Sequence, residues 1–182
     1  MGNYLNDYQA YTGETLVNEK VIGAGFLALG LCEESGELVA AVNDLCLHRV
    51  GAESHRIITE AGDVLWNVAR ILDSHDTPLA DAYRRVQYTG NATLPAAAHT
   101  ALYEACSVAG RVKKFMRDYD EWTETDRVEH ERGVLDSMVV IIGAIEALAR
   151  ALGSSILGVM QTNRAKINRR VSSGTIQGSG DR

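Results

Sequence analysis

Two stretches, L-C-E-E-S-G-E-L-V at residues 31–39 and I-T-E-A-G-D-V-L-W at residues 58–66, set five acidic residues inside otherwise apolar runs. Residues three or four apart share one face of a helix, so Glu34 and Glu37 project side by side, as do Glu60 and Asp63. Leu27, Leu31, Leu38 and Val42 flank the first pair at core spacing; Ile57, Val64, Leu65 and Val68 flank the second. The carboxylates are therefore held beside an interior where unpaired negative charge is costly. A cation is the simplest compensation, and an all-oxygen donor set suits Mg²⁺ or Mn²⁺.

The same helical period runs through the rest of the chain. Apolar residues recur at i, i+3 and i+4, and strict alternation never persists over a strand-length window, which predicts an all-α protein. Expected helices cover Asn6–Val17, Val21–His48, His55–Asp73, Thr77-Pro78 to Tyr88, Pro95–Tyr119, Arg127–Leu152 and Ile156–Arg170. Both prolines, Pro78 and Pro95, stand at helix starts, where the missing N–H is tolerated. Thr89-Gly90-Asn91-Ala92-Thr93 reads as an internal linker, dividing residues 1–90 from 91–182, two helical halves packed as one globular unit.

After the linker the order of long and short helices begins again. Setting L-C-E-E-S-G-E-L-V beside E-A-C-S-V-A-G-R-V (residues 104–112) matches Cys32 to Cys106 and Gly36 to Gly110. The match reads as a degenerate duplication, though two unrelated helix pairs also resemble each other. In the second half Arg111, Lys113 and Lys114 stand near the glycine, and Asp136 is the only carboxylate near the corresponding part of the next helix.

Composition narrows the function classes. A formal charge of −6 argues against general binding to a nucleic-acid backbone, although a metal can join an acidic protein to a phosphate substrate. No apolar run reaches the length of a membrane span, and the N-terminus lacks the basic and apolar regions of a signal peptide. Cys32, Cys46 and Cys106 are odd in number and show no C-x-x-C spacing, so they read as reduced core thiols of a cytoplasmic protein.

E-E-x-x-E at Glu33, Glu34 and Glu37, followed after residues 38–59 by E-x-x-D at Glu60 and Asp63, resembles the motif of the MazG-like all-α nucleoside triphosphate pyrophosphohydrolases, which include the dimeric dUTPases. Residues 26–72 look like that family's metal-binding helix pair. The opening L-N-D-Y-Q, with Tyr8 and Gln9, is similar to the first helix of many phage and bacterial members. Asn163, Lys166 and Arg170, then Gly174, Gly178, Ser179, Gly180 and Asp181, look like its terminal N-x-x-K-x-x-x-R helix and G-S-G-D tail. A simple member would pass straight from the E-x-x-D helix to the N-x-x-K helix, but here residues 74–162 intervene. The resemblance thus implies a MazG-like helical bundle built as a tandem pseudo-dimer of two four-helix-type units, with one active site per chain, either monomeric or pairing again as a dimer.

What the resemblance implies chemically is hydrolysis of a nucleoside triphosphate between the α and β phosphates, giving a monophosphate and pyrophosphate. Two or more Mg²⁺ or Mn²⁺ ions per site would neutralise the triphosphate and lower the pKa of a bound water. Glu34, Glu37, Glu60 and Asp63 are the expected metal ligands. Glu33 or Glu34 would orient the attacking water, with a solvated helix position as the other reading of Glu33. Lys166 and Arg170, one turn apart, would hold the leaving pyrophosphate, or complement the helix dipole. Tyr8, Gln9, Trp66 and Asn67 are candidates for the base pocket, with a core role as the alternative for Trp66, and Asn163 completes the substrate set. The tail could close over phosphates through backbone N–H groups, or be disordered. A single preferred base (dUTP, dCTP or dGTP), an alarmone, and a non-catalytic nucleotide sensor or interaction protein are the competing functions. His75-Asp76 and Cys46-x-His48 lack supporting ligands and read as a helix-end loop and a chance pair.

Overall fold

A computed structural model describes residues 1–16, 23–49, 53–87 and 92–174. Val17, Val21 and Tyr88 at expected helix ends, linker residues Thr89, Gly90 and Asn91, and tail residues Gly178, Ser179, Gly180 and Asp181 lie outside these. The described residues form seven helices, α1 (Gly2–Glu14), α2 (Ala24–Cys46), α3 (Ser54–Ser74), α4 (Leu79–Arg84), α5 (Leu94–Asp118), α6 (Glu124–Ala151) and α7 (Ile156–Ser172), with one 3-10 turn, Tyr119–Glu121. They contain no strand.

Local chemistry sets the helix ends. α6 starts earlier than expected because Thr123 and Asp126 form a reciprocal capping box: the Asp126 N–H donates to Thr123 Oγ1 (3.2 Å) and the Thr123 N–H to Asp126 Oδ2 (2.8 Å). α2, α3 and α6 each close on a left-handed residue: His48 (φ 50), Asp76 (φ 49) and Gly153 (φ 72). In α3 the Thr77 N–H returns to the Leu72 carbonyl (2.9 Å) and the Asp76 N–H to that of Asp73 (3.1 Å), satisfying carbonyls the helix leaves unpaired. The His75-Asp76 pair is thus a helix-ending turn.

α4 stops at Arg84, short of the expected end near Tyr88, and six residues do not hold a helix alone. Thr77 does not cap it. Instead the Leu79 N–H donates to Gln9 Oε1 (2.7 Å) and the Ala80 N–H to Asn6 Oδ1 (3.1 Å), so α1 supplies the cap.

Four long helices close a ring, α3 on α2, α2 on α5, α5 on α6 and α6 back on α3. Neighbours run antiparallel, as Arg56 beside Asp44, Met116 beside Gly25 and Arg111 beside Gly133 require. Leu31, Leu38, Ile57, Leu65, Met138, Ile141 and Ile145 fill the interior, each with no exposure, so both halves share one core. α3 is the hub, touching α1, α2, α4, α6 and α7. Cys46 and Cys106 are exposed and Cys32 is half-buried. The expectation of three core thiols is corrected for Cys46 and Cys106, which face outward, whereas Cys32 packs against the edge of the core. Among the described residues no single helix is long and apolar enough to cross a membrane.

Gly62 lets α7 reach α3: a Cβ there would lie 2.8 Å from Asn163 Cβ. Gly36, by contrast, faces open space. Gly62→Ala should cost about 1–3 kcal/mol from forced separation of the helices. Gly36→Ala should stabilise by about 0.5–1 kcal/mol through helix propensity alone. Urea denaturation of both variants measures the contrast, and equal effects would contradict the close approach.

Candidate metal centre

The antiparallel contact of α2 with α3 sets Glu34 and Glu37 opposite Glu60 and Asp63. Gly30 fixes this spacing, since a Cβ there would stand 2.9 Å from Asn67 Oδ1. One carboxylate oxygen each from Glu34, Glu37 and Glu60 lies within 4.8 Å of the other two. Ligand oxygens around Mg²⁺ are about 3–4 Å apart at metal–oxygen distances of about 2.1 Å, so small rotamer changes would close the three onto one hard cation. Glu37 is exposed, Glu34 half-buried, and the Glu60 side chain keeps 12% of its exposure. Arg56 lies 3.5 Å from Glu60 and 3.1 Å from Asp44, but it is half exposed and neutralises the cluster weakly.

Charge crowding shows in the acid strengths. Burial first, then the neighbouring Asp63 and Glu37, push the Glu34 carboxyl up to about 8, against the pull of Lys166. Glu60 is raised as well, by burial and then by Asp63. At that pKa Glu34 holds a proton near neutral pH unless a cation replaces it.

Asp63 is treated differently. Its Oδ1 accepts from Asn163 Nδ2 (2.9 Å) and its Oδ2 from Lys166 Nζ (2.6 Å), both from α7. Asn163 is held in turn: its Oδ1 accepts from the Tyr8 hydroxyl at 2.9 Å. Tyr8 and Asn163 have no exposure, and burial keeps the phenol well above its usual pKa and so a permanent donor. Helices α1 and α7 thereby fix one carboxylate of α3 from behind.

These contacts sort the expected site residues. Glu34, Glu37 and Glu60 come together. Asp63 adjoins them but turns its oxygens to α7. Glu33 is exposed and outside the cluster. Tyr8 is corrected from a base-stacking residue, because a fully buried ring offers no face to a ligand. Gln9 is corrected too: its amide donates to the Thr77 carbonyl (3.0 Å) and accepts from Leu79, so it clamps α4 instead of reading a base edge. Asn163 contacts Asp63, not the outside. Trp66 stays partly exposed, its Nε1 donating to Thr15 Oγ1 (3.3 Å), whereas Asn67 is buried and donates to the Asp63 carbonyl (3.2 Å). Arg170 is half-buried one turn beyond Lys166 on α7. Gly30 and Gly62, which set the helix spacings, were legible only as glycines inside helical patterns.

The second half is built otherwise. Arg111 of α5 packs against α6 at Gly133, where a Cβ would be 2.2 Å from its guanidinium. Asp136 pairs with Arg85, the residue just after α4, and Glu104 accepts from Ser137 Oγ at 2.8 Å. Among the described residues no second group of three metal-ligating side chains forms there. The chain matches no family model, no curated protein and no solved structure.

A raised Glu34 pKa means that the folded state binds its proton more tightly than the unfolded chain, whose carboxyl titrates near 4.5. Without divalent cation, the stability this group contributes should therefore be fully present below about pH 4.5 and be lost as pH rises to about 8. Solvent at the mouth of the cluster screens part of the repulsion, leaving an effect of about 1–2 kcal/mol, or a few degrees in Tm. Glu34→Gln should flatten that slope and raise the Tm at the alkaline end in EDTA. Calorimetry across the range checks it, and an unchanged slope would contradict the crowding.

Proposed function

We propose that the protein is a Mg²⁺- or Mn²⁺-dependent nucleoside triphosphate pyrophosphohydrolase, releasing a nucleoside monophosphate and pyrophosphate. One observation carries this reading. The E-x-x-E and E-x-x-D segments and the distant N-x-x-K segment, which together resemble the MazG-like family, meet in space, with Asn163 and Lys166 bonded to Asp63. Unrelated solvated helices would have no reason to join those particular residues.

An all-oxygen cluster with raised carboxyl pKa values fits a hard divalent cation, which when bound would neutralise triphosphate charge and activate the attacking water. The chain's own residues supply position. Glu34, Glu37 and Glu60 define where charge can be neutralised. Lys166 and Arg170 line one face of α7 and suit the oxygens of the leaving pyrophosphate. Glu34, half-buried within the cluster, fits the water-orienting role better than exposed Glu33 outside it. Catalysis of this kind is mainly positional and electrostatic.

We also read the two halves as diverged copies forming a pseudo-dimer with one site. Cys32 and Cys106, the pair matched in sequence, lie near each other across the antiparallel α2–α5 contact, where burial and then the Cys106 thiol push the Cys32 thiol up to about 11. Equivalent residues meet each other only near a twofold axis. In this reading Arg111 occupies the space that the second copy's acids gave up.

Pyrophosphate release should require Mg²⁺ or Mn²⁺ across a panel of nucleoside triphosphates. Glu37→Gln and Asp63→Asn should each lower kcat/KM on the order of 100-fold. EDTA should abolish release while circular dichroism keeps its helical signal, since packing supplies the stability. Nucleotide binding without turnover in wild type and both variants would favour a sensor instead.

A further inference from the structure

The four carboxylates at the α2–α3 seam are unequally available. Glu34, Glu37 and Glu60 face one another, whereas both oxygens of Asp63 are committed to Asn163 and Lys166. The Lys166 and Asp63 side chains each keep only 15% exposure, so this ion pair is sheltered from solvent. It is also braced: Tyr8 holds Asn163, and Gly62 admits Asn163 against the α3 backbone. A divalent ion approaching Asp63 would meet an ammonium 2.6 Å from the oxygen it needs. Like charges that close, in a site water reaches poorly, exclude one another.

We infer that Lys166 is a resident counter-ion that reserves Asp63, so the protein alone takes one divalent ion on its three glutamates and admits another at Asp63 only when Lys166 is drawn off. A polyphosphate is the ligand chemistry that draws it off, because its oxygens offer the ammonium a stronger acceptor set than one carboxylate. Lys166 in this role is a positioning residue, coupling arrival of an anionic ligand to completion of the cation site. The device would keep the full set of ions from assembling without substrate. The inference rests on the proposed divalent-cation site and adds an order of loading to it.

Counting Mn²⁺ bound per chain, by the loss of the free-ion paramagnetic resonance signal without nucleotide, tests the idea. Wild type should bind one ion. Lys166→Met, which frees Asp63, should bind a second in the same concentration range. Lys166→Met combined with Asp63→Asn swaps a neutral ion pair for a neutral pair, so it should return to one ion with affinity close to wild type. The double variant leaves no unpaired buried charge and keeps the test usable should the single variant fold poorly. Equal counts in wild type and Lys166→Met, or loss of the single ion in the double variant, would overturn the reserving role while leaving a cation site standing. No Mn²⁺ bound by any of the three proteins would overturn both readings together.

Discussion

Mutual repulsion among carboxylates at the α2–α3 seam is the constraint around which the rest is arranged. Two unit charges about 5 Å apart repel by about 3 kcal/mol at the effective dielectric of a partly buried site. Three such contacts rival the whole stability of an ordinary domain, about 5–15 kcal/mol. Full ionisation without compensation is therefore excluded, and protons or cations must share the cluster. The high pKa of Glu34 is the proton's share. What makes the seam informative is that helices α1 and α7 add a donor relay to one of its acids instead of replacing the acids.

That relay ties distant parts of the chain to one point. Tyr8 near the N-terminus, Asp63 in the middle and Asn163 near the far end form an unbroken line of hydrogen bonds. Gln9 and Asn6 on α1 cap α4, and buried Glu146 on α6 accepts from the Ile156 N–H (2.9 Å) where α7 begins. The short helices are thus set by side chains of the long ones. Position of Lys166 follows from the whole bundle, which is why a site of four acids needs seven helices around it.

Much of this was legible in the sequence, for definite reasons. Periodicity marked every helix, because burying one stripe is what a bundle requires, and the acidic spacing named Glu34, Glu37, Glu60 and Asp63. Ends were less legible where capping chemistry outweighed periodicity, as at Thr123 and Asp126, or where the cap came from another helix, as at α4. Roles for Tyr8 and Gln9 misled because an aromatic and an amide look alike whether they face a ligand or a neighbouring helix. The Lys166–Asp63 pair joins positions 103 residues apart, and single-sequence spacing carries no information about such a contact. Gly30 and Gly62 had a signal, glycine within a helix, but not its reason.

The central claim is that this seam gathers divalent cation between α2 and α3. Anomalous diffraction from crystals soaked in manganese tests it most directly. The account predicts a peak bounded by Glu34, Glu37 and Glu60. Density maps with no anomalous peak there, and carboxylates turned outward into solvent, would contradict it.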